Sequence, residues 1–97
     1  MRFTLPPLRE SLVTMLRRAG YAPHRGHEAA ASYVRRMGGV GEYPRFHLYA
    51  DERAGAVVLN LHLDQKQPSY GQSHAHSGEY EGETVARERE RIMSLVG

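Results

Sequence analysis

The chain has 97 residues, 40% of them apolar, enough for one modest core in one domain spanning residues 1–97. With no cysteine, neither a disulfide framework nor a thiolate metal site is possible, and a reducing, cytoplasmic setting is expected. Net charge is +2, the longest aliphatic run is residues 56–59, and the first ten residues lack the apolar stretch of a secretory signal, so neither a membrane span nor an export leader is expected.

The first predicted element is a helix over residues 5–19. Leu8, Leu12, Met15, Leu16 and Ala19 recur with the 3.6-residue period, Thr4 offers a cap, and Gly20 is placed to end the helix in the left-handed conformation. Pro6 and Pro7 are tolerable in a first turn, where amide hydrogens lack intrahelical partners. Residues 21–30 read as a polar connector, residues 32–37 as a short strand, and Gly38, Gly39, Gly41 and Pro44 as a loop. Residues 45–51 and 56–64 alternate apolar and polar positions around a Gly-containing turn at 52–55, the pattern of an antiparallel hairpin. A closing helix is predicted over residues 82–96. Its apolar stripe is Val85, Ile92, Leu95 and Val96, its ion pairs are Glu83–Arg87 and Glu88–Arg91, and residues 87–91 read as a solvated face.

The predicted fold class is therefore α+β in the order α-β-β-β-α, a three-stranded antiparallel sheet with both helices on one face. Double-stranded-RNA-binding domains and small toxin ribonucleases share this order of elements. The likeness is one of order alone: the closing helix has no lysine cluster and the chain has no Gly-Ser-His motif.

Pairing across the 52–55 turn opposes Asp51 with Ala56, Tyr49 with Val58, His47 with Asn60 and Arg45 with His62. Alternation then turns Phe46, Leu48, Val57, Leu59, Leu61 and Leu63 toward the helices. Arg45, His47, Tyr49, Val58, Asn60, His62 and Asp64 are left on the open face, joined by Tyr33 and Arg35 if the first strand pairs in the same parity. A wetted strand face needs only polar residues, and this one is rich in His, Tyr and Arg.

Residues 65–82 contain no Leu, Ile, Val, Met or Phe, yet they carry His74, His76, Glu79 and Glu81. A loop of this length in a small domain is usually functional or disordered, and it starts beside His62 and Asp64. Folded back over the open face, it would act as a lid.

The function expected from these residues is binding of a metal ion or a small anionic ligand on the open face. For a divalent ion (zinc, nickel, manganese or iron) the candidate ligands are His62, Asp64, His74, His76 and Glu79. For an anion or RNA they are Tyr33, Arg35, Arg45, Tyr49, Asn60, Lys66, Tyr70 and Tyr80, with the tyrosines stacking and the cations meeting phosphate. Hydrolase or ribonuclease chemistry is the alternative, with His47 and His62 as base and acid and Lys66 or Arg45 holding phosphate. A module that binds only protein, a homodimer included, is the remaining reading.

Charge is uneven along the chain. Residues 1–50 hold eight Arg against three Glu, and residues 51–97 hold five Arg or Lys against eight Asp or Glu. Such asymmetry marks a phosphate-facing half only if folding does not interleave the two halves. Charging all six histidines takes the formal charge from +2 to +8, so behaviour is expected to change between about pH 5 and 7.

Overall fold

The computed structural model describes residues 1–24, 31–38, 41–65 and 77–96, the side chains of residues 77–81 excepted. Its elements are β1 (Arg2–Thr4), α1 (Leu12–Arg18), β2 (Ala22–His24), β3 (Ala31–Arg36), β4 (Arg45–Arg53), β5 (Ala56–Asp64) and α2 (Ser77–Ser94). The fold is α+β, as expected, but among the described residues the antiparallel sheet has five strands in the order β1-β5-β4-β3-β2, not three. The expected α-β-β-β-α core is present, with a short strand added at each edge. The order shared with RNA-binding domains and toxin ribonucleases is therefore incomplete.

Both added strands have three residues, too few to show a period. In β1, Phe3 is buried between exposed Arg2 and Thr4, and the ladder to β5 runs one residue further through the Leu5 amide to the Val57 carbonyl at 2.9 Å. Pro7, the next residue that would face β5, has no amide hydrogen to continue it. The same two prolines correct the helix start. Leu5 and Pro6 each precede a proline, which disfavours helical backbone there. Leu5 and Leu8 meet the core from a non-helical segment, and α1 begins only after Ser11, whose hydroxyl accepts the Thr14 amide at 3.1 Å. Ser11, not Thr4, is the cap. β2 contains Pro23, tolerated because the strand lies at the edge.

The end of α1 is as expected. Gly20 has φ +95°, the Gly20 amide donates to the Arg17 carbonyl and the Tyr21 amide to the Leu16 carbonyl, closing the helix in the Schellman pattern. The β4–β5 turn is tighter than expected. Ala54 and Gly55, with φ 50° and 81°, are its two central residues, so the strands run to Arg53 and resume at Ala56. The register therefore moves by two residues. Arg45 lies opposite Asp64, His47 opposite His62, and Tyr49 opposite Asn60. An even shift keeps every side chain on its expected face.

One face of the sheet carries the core. Phe3, Tyr33, Phe46, Leu48, Ala50, Val57, Leu59 and Leu61 pack in one cluster with Leu12, Met15 and Leu16 of α1 and with Val85 and Ile92 of α2. Leu63 and Leu95 are partly buried against it. Between Val85 and Ile92 the α2 stripe carries Glu88, only 4% exposed. It accepts from the Tyr21 hydroxyl at 2.7 Å and from Arg91 at 2.8 and 2.9 Å, with Arg35 at 3.5 Å. Arg91 also donates to the Ala19 carbonyl at 2.6 Å. Residues 87–91 are thus not simply a solvated face: this network fastens α2 to the end of α1 and to β3, while the Glu83–Arg87 pair stays on the surface. No helix among the described residues is long and apolar enough to cross a membrane.

Candidate functional site

The sheet face away from the helices follows from the register. Directly paired residues share a face, so Arg36, Arg45 and Asp64 form one row and Val34, His47 and His62 the next. His24, Ser32, Tyr49, Asn60 and Arg2 form a third row, and Asp51 and Val58 begin a fourth. Tyr33 and Arg35 pair with Leu48 and Phe46, so they belong to the helix side. Tyr33 is buried in the core, and Arg35 lies over the Phe46 ring, 6.0 Å from its centroid, and meets Glu88. Their expected place on the open face is corrected: β3 pairs in the other parity.

Four rings cross the open face in a chain. His24 and His47 meet edge to face at 5.1 Å between centroids, His47 stacks on Tyr49 at 4.5 Å, and Tyr49 meets His62 edge to face at 5.7 Å. This packing buries His47 on the open side, where it is only 6% exposed.

A single carboxylate oxygen organises the polar atoms around it. Asp64 Oδ2 accepts from Arg45 Nε at 3.2 Å and lies 3.1 Å from His47 Nδ1. Arg45 in turn sits over the Tyr43 ring, 4.7 Å from its centroid. A carboxylate at Nδ1 favours the tautomer with the proton there, so neutral His47 carries its lone pair on Nε2. That Nε2 is buried and has no hydrogen-bond partner among the described residues, and the same is true of His24 Nδ1.

His62 is the exposed histidine of the face. Burial, then the nearby N-terminal ammonium and His47, hold its pKa below the ordinary imidazole value, while Asp64 opposes them. The folded state therefore resists charging His62 more than the unfolded chain does. Its stability contribution is complete above about pH 6.5 and is lost as pH falls through the lower folded value. His62→Gln is expected to lessen the fall in melting temperature between about pH 7 and 5, read as the difference between variant and parent melts at each pH. An unchanged difference across that range would contradict it.

Beside the rings lies an open-face cavity of about 270 Å³, lined by Arg2, Tyr49, Asn60, Asp51, Arg53 and Val58. Asp51 and Arg53 pair with each other at 2.7 Å. The Arg2 guanidinium has no ion pair or hydrogen bond among the described residues. A larger cavity, about 460 Å³, lies at the hairpin turn between the prolines and β5; its charged lining is Glu10 and Glu52.

Of the sequence-derived candidates, the structure brings together Arg45, His47, Tyr49, Asn60, His62 and Asp64. Lys66, Tyr70, His74 and His76 lie outside the described residues, as do the side chains of Glu79 and Tyr80. The backbone at Glu79, Tyr80 and Glu81 belongs to α2, so the expected 65–82 loop is cut short at Ser77. Among the described residues no three His, Asp or Glu side chains converge to hold an ion. Besides Ser32, Val34 and Arg36, which replace Tyr33 and Arg35 through the parity of β3, the sequence pattern leaves two residues of the face unmarked, His24 and Arg2. Both sit on the three-residue edge strands, and the alternation of Arg2, Phe3 and Thr4 is the one faint signal. No family model, curated protein or solved structure matches the chain.

Proposed function

We propose that the chain is a small binding module whose open sheet face takes a compact planar anion, an aromatic phosphate or carboxylate. The observation that supports this most is the cavity in which Arg2 stands beside Tyr49 and Asn60. Arg45 is already committed to Asp64 and to the Tyr43 ring and Arg53 to Asp51, so among the described residues lining the cavity Arg2 is the cation left to meet a ligand. Its guanidinium suits a bidentate oxyanion, Tyr49 offers a ring to a planar body, and Asn60 supplies both a donor and an acceptor. A volume near 270 Å³ is at the small end of ligand pockets, which favours a single ring over an oligonucleotide. The RNA reading also loses Tyr33 and Arg35 to the helix side. Binding ranks above hydrolysis because His47 has one nitrogen on Asp64 and the other buried, leaving His62 without an exposed partner for acid–base work.

Calorimetric titration of the full chain with phenyl phosphate and with benzoate tests this. Saturable binding near about 0.1–1 mM is expected at low salt. Arg2→Ala should weaken it by about tenfold or more, Tyr49→Ala by a few-fold, and Arg36→Ala, on the same face but outside the cavity, should leave it unchanged. Absence of binding, or binding indifferent to Arg2 and Tyr49, would contradict the proposal. Release of phenol from phenyl phosphate would favour the hydrolase instead.

A further inference from the structure

His24 and His47 come from strands that are not neighbours: β3 runs between them. Their rings meet above that strand, where its open-face residues, Ser32 and Val34, have short side chains. Ser32 donates to the His24 carbonyl at 3.2 Å, tying β2 at this point. The result is a pair of imidazoles of which one nitrogen each, His24 Nδ1 and His47 Nε2, is buried without a hydrogen-bond partner among the described residues. Buried polar nitrogens are rarely left bare, since each forgoes its hydration.

Edge-to-face packing alone accommodates the 5.1 Å between these rings. It does not account for two bare nitrogens on adjacent rings, nor for the way His47 is held. A histidine that binds a metal through one nitrogen characteristically donates its other N–H to a carboxylate, which fixes the tautomer and raises the basicity of the ligating atom. His47 has this arrangement, with Asp64 at Nδ1 and the carboxylate itself steadied by Arg45. Two imidazoles that ligate one tetrahedral ion at about 2.0–2.1 Å hold their ring centres roughly 5 Å apart, which matches the observed separation.

The geometry points to a divalent transition-metal site with His24 Nδ1 and His47 Nε2 as protein ligands and Asp64 as the residue that orients His47. Imidazole donors suit zinc, nickel, copper or iron, not magnesium or calcium. Two protein ligands leave coordination positions for water or an exogenous donor. The site differs from the set read from sequence, in which His62, Asp64, His74, His76 and Glu79 were the ligands: Asp64 is common to both but here does not touch the ion. It rests on other residues than the anion cavity.

The test is titration of the untagged full chain with cobalt(II) at about pH 7.5, where unperturbed histidines are mostly neutral. A visible d–d absorption that saturates at one equivalent and is displaced by zinc is expected. His24→Ala and His47→Gln should each lower the affinity about tenfold or more, and Asp64→Asn should lower it about 10–100-fold, with melting curves showing that each variant is folded. His62→Ala should bind as the parent does. Long-range proton–nitrogen spectra of the parent chain give a measurement that needs no variant: zinc should move the His24 Nδ1 and His47 Nε2 resonances. No one-equivalent binding, binding unaffected by changes at His24 and His47, or zinc shifts confined to other histidines would overturn the assignment. Phenyl phosphate binding that persists in His24→Ala would separate failure here from failure of the anion reading.

Discussion

Replacing Glu88 by alanine is expected to destabilise the fold by about 3 kcal/mol and to lower the melting temperature by about 12–24 °C. Among the described side chains Glu88 is the one carboxylate on the buried stripe of α2, and its two oxygens serve the Tyr21 hydroxyl, Arg91 and Arg35. Removing one partner from a buried ion pair typically costs about 3–5 kcal/mol, because the remaining charges stay desolvated. Here the side chains of Arg91 and Arg35 keep 35% and 34% of their surface in water, which places the effect at the lower end of that range. Tyr21 cannot recover so easily. Its hydroxyl is held protonated far above the ordinary tyrosine range, first by burial and then by Glu88, and without that acceptor it becomes a buried, unsatisfied donor. Glu88→Gln retains an acceptor for Tyr21 and should lose about half as much. Since domains of this size are stable by only about 5–15 kcal/mol, denaturant melts resolve these changes readily. A loss under about 1 kcal/mol in the alanine variant would show that the network contributes little.

The second large effect separates the two faces of one strand. Leu59 and Asn60 are consecutive on β5, which lies between β1 and β4. Leu59 is fully buried, paired across the sheet with Phe3 on one side and Ala50 on the other. Leu59→Ala should cost about 3 kcal/mol, the transfer free energy of the lost side chain plus the cavity it leaves. Asn60 is exposed and lines the open-face cavity. Asn60→Ala should stay within about 0.5 kcal/mol of the parent, yet weaken phenyl phosphate binding. Similar stability losses for the two variants would mean that the strand's phase is wrong, and with it the division into core and binding faces.

That phase was legible because alternation over residues 45–51 and 56–64 leaves no ambiguity about which side is apolar. The register was not. A four-residue turn at 52–55 fits the alternation as well, but Ala54 and Gly55 alone close the hairpin, with Ala54 in a left-handed conformation that its sequence does not advertise. His47 therefore meets His62 directly and Arg45 meets Asp64, contacts that the four-residue turn displaced. The side assigned to Tyr33 and Arg35 hung on a parity that six residues of β3 cannot fix by pattern, since Tyr33 is apolar enough for a core and Arg35 reaches it through its stem. The helix start is hidden in the sequence because Leu5 and Leu8 fit the helical period while lying ahead of the helix. His24 and Arg2 were out of reach for another reason: each matters only because a short edge strand places it against a distant partner.

The most direct measurement of whether the open face is the binding face is a nuclear magnetic resonance titration of the full chain with phenyl phosphate. Saturating shifts at Arg2, Tyr49, Asn60 and neighbouring His62, with those of α1 and α2 unmoved, are the expected result. Shifts gathered at the proline-lined cavity near Leu5 and Leu12, or no saturable shifts at any concentration, would contradict it.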